Sequence, residues 1–207
     1  MQFLSFSIIL SLAPYFLSAI ADQKPFHKPI TNNNNMPSLA DLLTIESSAS
    51  IFYSYARELA LSEFLSEPAS FAETPGRARN GLSLLVPTNK AVMALARKPH
   101  QGPSPKDNDE DITISEEEFY KKSKDNVQRW VEAHIIPNSP LTYPAPTTTY
   151  DTLLQGKSVS LTSSSGDGQG NEDWQRVTID DGIRILSMKQ ASNGVLYLID
   201  GTISVNS

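Results

Sequence analysis

Histidine is the scarcest side chain in this sequence with acid–base chemistry near neutral pH, occurring only at His27, His100 and His134. His27 falls in a proline-punctuated leader, His100 in a polar loop and His134 near the end of a helical pattern. No two of them share an element or stand at metal-ligand spacing. The sequence also contains no cysteine, which excludes thiol nucleophiles, redox pairs and cysteine-bound metal. No metal and no cofactor is expected. For His134 two readings compete: a general base working with Asp200 or Asp151, or a core imidazole whose nitrogens bond backbone groups. A base needs a positioned partner and a reachable proton. The sequence offers neither, so the core reading is preferred and no catalytic residue is assigned.

Other polar stretches invite similar tests. Ser163-Ser-Ser-Gly-Asp-Gly-Gln-Gly170 is Gly-rich, but it lacks the Lys-Ser/Thr ending of a phosphate loop and precedes a strand. It reads as a hairpin connection. Asp107 to Asp111 is acidic, yet neither its spacing nor its missing glycine fits a calcium loop. Tyr143 and Tyr150, with Pro144 and Pro146, form a surface patch with two equal readings, partner recognition or protection of a sheet edge.

The elements that position these residues follow from hydrophobic period. Ser38-Leu-Ala-Asp41 reads as a helix start, with Leu39, Leu42 and Leu43 on its buried side. Ile51, Phe52, Tyr55 and Leu59 mark another helical face, and Phe64 and Leu65 begin a short stripe. Gly81-Leu-Ser-Leu-Leu-Val-Pro-Thr-Asn89 predicts a buried strand followed by a helix capped by Thr88 or Asn89. Residues 98–114 lack an apolar period and suggest a solvated surface insertion. Ser115 to Glu118 has the form of a capping box. Val127, Trp130, Val131 and His134 then share one inward face.

Sheet follows from Ile135 onward. Lys157 to Thr162 and Trp174 to Ile179 alternate, and Asp181-Gly182 supplies a hairpin corner. Ile183 to Met188 and Val195 to Ile199 pair through a corner at Asn193-Gly194, both of which tolerate positive φ. Val195 to Ile199 is apolar throughout, as expected of a strand covered on both faces.

With 207 residues, one substantial domain is expected, and the composition is ordinary for a globular protein. A net charge of -6 argues against nucleic acid as a partner. Residues 3–17 are apolar and lead to Ala19-Ile-Ala21, so residues 1–21 read as a secretory signal and 22–37 as an extended leader. The span is too short for a membrane helix, and no stable membrane span is expected after cleavage. No Asn-x-Ser/Thr sequon occurs. The end at Ser207, without an apolar tail, suggests a freely soluble product.

Three stretches together resemble the fasciclin, or FAS1, family over about Ser38 to Val205. They are Leu84-Leu-Val-Pro-Thr-Asn-Lys-Ala-Val92, Val131-Glu-Ala-His-Ile-Ile-Pro137, and Ala191-Ser-Asn-Gly-Val-Leu-Tyr-Leu-Ile-Asp200, the last preceded by Leu154-Gln-Gly-Lys-Ser-Val159. Trp130, His134 and Pro137 are most similar to fungal members. Two positions depart from the family: Val92 replaces the usual phenylalanine, and Ala133 replaces the tyrosine of the Tyr-His pair associated with adhesion in animal members.

The resemblance implies an α+β FAS1 fold over residues 38–207, an antiparallel β-sandwich or wedge with N-terminal and central helices packed against it. It treats Thr88, Asn89, His134, Asn193 and Gly194 as mainly structural. It further implies a secreted, non-catalytic binding module, and the fungal likeness suggests an accessory role beside a secreted oxidase such as a laccase in pigment or polyketide biosynthesis. The alternatives are adhesion through cell-wall glycan and an enzyme acting on a secondary metabolite. The expected location is extracellular, with a vacuolar lumen compatible.

Overall fold

The computed structural model describes residues 36–59, 65–66, 81–103, 115–143, 146–163, 172–180 and 182–205. Contacts divide the chain into Met1–Asn33 and Asn34–Ser207, and every described residue belongs to the second unit. The expected signal sequence, the leader up to residue 35, residues 104–114, most of the Gly-rich loop and Asp181 lie outside the described residues.

Helix α1 (Leu39–Ile45) begins as its sequence dictates: the Ser38 hydroxyl accepts from the Asp41 N–H at 3.1 Å, and the Asp41 carboxylate accepts from the Ser38 N–H at 2.9 Å. A 3-10 turn (Ser47–Ala49) leads into α2 (Ser50–Ala56), which buries Phe52 and Ala56. After strand β1 (Leu82–Pro87), the Thr88 hydroxyl caps α3 (Asn89–Ala94) by accepting from the Ala91 N–H at 3.2 Å. The long helix α4 (Glu116–Glu132) opens with the reciprocal Ser115–Glu118 box and turns Val127, Trp130 and Val131 inward.

The remaining elements are β2 (Ile135–Ile136), β3 (Thr147–Asp151), β4 (Ser158–Ser163), β5 (Val177–Ile179), β6 (Ile183–Ala191) and β7 (Gly194–Ile199). The strands line up in the order β2-β1-β7-β6-β5-β4-β3. The α+β class follows directly. One ladder departs from an antiparallel sandwich: β1 and β7 run parallel, from Leu82 opposite Gly194 to Pro87 opposite Ile199. A parallel pair needs a long crossover, and here everything from α3 to β6 supplies it.

That central pair separates two cores. Leu84, Val86, Leu196 and Leu198 face the helices, whereas Leu85, Val195, Tyr197 and Ile199 face the second core with Val159, Leu161 and Ile179. The apolar run of β7 therefore needs no polar face, and each fully buried Leu or Ile contributes about 1.5–3 kcal/mol. Strand β6 joins the two halves of the sheet. Its Ile183 and Arg184 pair with β5 and its later residues with β7, with a register shift between Ile185 and Ser187. The extra residue, Leu186, is exposed, and a bulge of this kind bends the strand.

Three sequence expectations are corrected locally. Residues 98–103 are not a solvated loop: Pro99–Gln101 form a 3-10 turn, Pro99 is buried, and the Asn126 amide on α4 donates to the His100 carbonyl at 3.4 Å. Trp174 does not begin a strand. Asp173–Arg176 form a 3-10 turn, because Gln175 accepts from the Glu172 N–H and Asp173 pairs with Arg176 at 2.6 Å. Finally, the β6–β7 corner lies one residue earlier than expected, since Ala191 pairs with Gly194 and leaves Ser192 and Asn193 as the turn.

Candidate functional site

The polar residues of the recurring motifs hold the chain together. Asn89 accepts from the Ile51 N–H at 2.9 Å and donates to the Ser47 carbonyl and the Ser50 hydroxyl, both at 3.0 Å, so α3 clamps the start of α2. Asn193 is buried and does not use positive φ. Its Oδ1 accepts from the Leu39 N–H at 2.8 Å, and its Nδ2 donates to the Leu65 carbonyl at 2.7 Å. Gly194 takes the positive φ expected of it, and a Cβ there would also overlap the Leu82 carbonyl oxygen, where β1 and β7 first meet.

His134 is fully buried. Its Nδ1 donates to the Trp130 carbonyl at 2.7 Å, and its Nε2 accepts from the Ile203 N–H at 3.0 Å. Burial pushes its pKa down to about 4, only partly opposed by the bond to Trp130. This is a neutral imidazole with both nitrogens engaged. The carboxylates considered as its partners are occupied elsewhere. Asp200 accepts from the Arg184 N–H and Nε, each at 2.8 Å, and Asp151 accepts from the Ser158 hydroxyl at 2.7 Å. The arrangement that a general base requires is not formed.

The tyrosine pair is half-buried against the second core. The Tyr143 hydroxyl donates to Tyr197 at 3.1 Å, and burial followed by that bond raises its pKa. The Tyr150 hydroxyl accepts from the Thr142 N–H at 3.0 Å and donates to the Thr142 carbonyl at 2.9 Å. Both phenols fasten the loop before β3. His100, not singled out as a site, bonds the Tyr55 hydroxyl through Nδ1 at 3.1 Å.

Above Trp130 lies a groove of about 410 Å³, lined from three separate stretches: residues 95–99 with 102–103, α4 at Asn126, Arg129 and Trp130, and residues 202–205. Its lining includes Arg97, Lys98 and Arg129 and, among the described residues, no carboxylate. Lys98 directs its ammonium at the carbonyls of Val92, Met93 and Leu95, at 3.3, 2.8 and 3.1 Å, closing the end of α3. Nothing in local sequence spacing marked this groove. Its walls meet only after folding.

The Fasciclin domain profile matches residues 47–205. The chain belongs to the fasciclin-domain family. A FAS1 domain-containing protein of Candida glabrata is 26% identical over 202 residues, covering 92% of this chain and 74% of its own length. Another, from Aspergillus fumigatus, is 31% identical over 110 residues, which are 53% of this chain and 43% of that protein. The aligned chain thus spans less than half of the Aspergillus relative. Among solved structures, a FAS1 domain pair from the insect cell adhesion molecule fasciclin I is similar, with a TM-score of 0.47, 12% identity, and coverage of 76% of this chain and 45% of that one.

In this fasciclin domain the matched stretch begins at the turn that Asn89 clamps and ends at the segment that His134 holds. The motif residues tie together α1, α2, the central strands and the C-terminal segment. Among the described residues, no group of three or more His, Asp or Glu side chains is placed to hold a metal ion, and no helix is long and apolar enough to cross a membrane.

Proposed function

We propose that this fasciclin domain acts by binding, without chemistry of its own, as an accessory component of a secreted fungal assembly. The concrete form is a partner of an exported oxidase, such as a laccase coupling phenolic polyketides into pigment. One observation carries the non-catalytic part: His134, the best-placed candidate base, has both ring nitrogens bonded to backbone. The fungal relatives and the apolar N-terminal stretch support the setting. Affinity purification of the tagged full chain from culture fluid, combined with metabolite profiling of a deletion strain, tests the proposal. Co-elution of an oxidase and loss of coupled phenolics are expected. A free monomer and an unchanged phenolic profile would reject it.

Retention on cell-wall glycan is a second reading, favoured by one face of β3 and β4. There Thr147 pairs with Thr162 at 3.3 Å and Thr149 with Ser160 at 3.5 Å, forming a hydroxyl-rich strip. Retention of the purified protein on cell-wall material, released by soluble glycan, would favour this reading. Retention that glycan does not release would count against it.

A further inference from the structure

We infer that the groove above Trp130 binds a small organic monoanion with a flat apolar body, an aromatic carboxylate being the chemistry it fits. The inference deepens the reading of the chain as a non-catalytic binding module and rests on it. Three independent features of the groove converge.

The first is charge. On a chain of net charge -6, this lining carries Arg97, Lys98 and Arg129 and, among the described residues, no acid. Among those residues, no hydrogen bond or ion pair engages the Arg129 guanidinium. Arg97 donates from Nε to the Gly102 carbonyl and from Nη2 to the Gln101 carbonyl, both at 3.0 Å, so its fork is held in place with N–H donors unspent. A planar guanidinium matches a planar carboxylate in two-point bonding. An arginine in the last turn of α4 also favours the helix dipole, but that role would not require a second arginine across a groove.

The second is a buried donor. Trp130 is only 4% exposed, and its indole N–H has no hydrogen-bond partner among the described residues. It is not among the sealed, unsatisfied polar atoms either, because no such atom exists among the described residues. The N–H is therefore not sealed off, and Trp130 is one of the residues that line the groove. An acceptor oxygen lodged there would complete it.

The third is the floor. Leu95, Pro99, Ile203 and Val205 supply apolar surface beside Trp130, in a volume typical of small-molecule sites. A bare phosphate would leave that surface wet. A neutral ring would leave the arginines without a partner. An aromatic acid satisfies both.

The test uses 2-naphthoate as probe and 2-naphthylmethanol as its neutral counterpart, titrated into the full secreted chain by calorimetry, with ¹H–¹⁵N spectra locating the site. Naphthoate is expected to bind about tenfold or more tighter than the alcohol, weakening with added salt. Its shifts should centre on the Trp130 indole and residues 202–205. Arg129→Gln should weaken naphthoate about tenfold while leaving the melting temperature unchanged, with Arg129→Lys intermediate. Equal affinity for acid and alcohol, undiminished binding to Arg129→Gln, shifts centred elsewhere, or no binding at about 1 mM would each overturn the site. Recovery of the probe is read separately. Conversion to a new product would reject the non-catalytic reading, whereas lost binding rejects only the groove.

Discussion

His134 accepts the N–H of Ile203 at 3.0 Å across a sequence separation of 69, while donating to Trp130 one helical turn away. One imidazole therefore joins the end of α4 to the segment after β7. It does so only in its neutral form, with the proton on Nδ1.

Replacing that ring should be costly. His134→Ala leaves the Trp130 carbonyl and the Ile203 N–H unpartnered and opens space beside Phe52 and Trp130, whose rings lie 5.7 and 4.7 Å from the imidazole. A loss of about 3–5 kcal/mol is expected. Urea unfolding should show a lower midpoint with an unchanged slope.

Acid should loosen the same joint. The folded pKa near 4 lies below the ordinary histidine value of 6.5, so the unfolded state takes up the proton first. This contribution is complete above about pH 6.5 and is lost as pH falls through about 4, a total of about 3 kcal/mol. From the bottom of that window downward, Glu46 and Asp41, whose pKa values are lowered chiefly by bonds to Lys189 and Ser38, lose their own contributions. Melting temperatures from pH 7 to 4 should therefore fall in wild type and stay flatter in His134→Gln.

The β6–β7 corner offers a second test. Asn193→Ala removes acceptor and donor together from the buried Leu39 N–H and Leu65 carbonyl, and about 2–4 kcal/mol should be lost. Asn193→Asp keeps the acceptor but not the donor, so chemical denaturation at a pH that leaves the carboxyl protonated should rank it between wild type and Ala. Gly194→Ala should be worse than a loop substitution of equal size, because its methyl would meet the Leu82 backbone and not a yielding side chain.

Alkali should act through the tyrosines. Burial raises the pKa of Tyr143 and Tyr197 above 10, and the unfolded state loses those protons first. Their contribution is complete below about pH 10 and declines above it. Phenolate absorbance should rise together with loss of structure. Tyr143→Phe should cost about 1 kcal/mol at neutral pH.

What the sequence disclosed was whatever local chemistry determines. Ser38 and Ser115 announced their helices because each cap is closed by a carboxylate three residues away. The runs in β1 and β7 announced burial on both faces. Asn193 was placed correctly at a corner but for the wrong reason, since its partners lie 154 and 128 residues distant and no local pattern encodes them. Pro99 looked like a loop residue because polar neighbours hid a contact with α4 that exists only in three dimensions. The groove was invisible for the same reason.

The side-by-side alignment of Leu82–Pro87 with Gly194–Ile199 constrains how this protein is born. A ribosome that has released β1 but not yet made β7 holds a strand with no neighbour on its inner side. Such long-range pairing folds slowly, and its unpaired edge invites aggregation. The emerging polypeptide therefore carries that open edge while everything between Pro87 and Gly194 is made, and added chaperone should raise its yield.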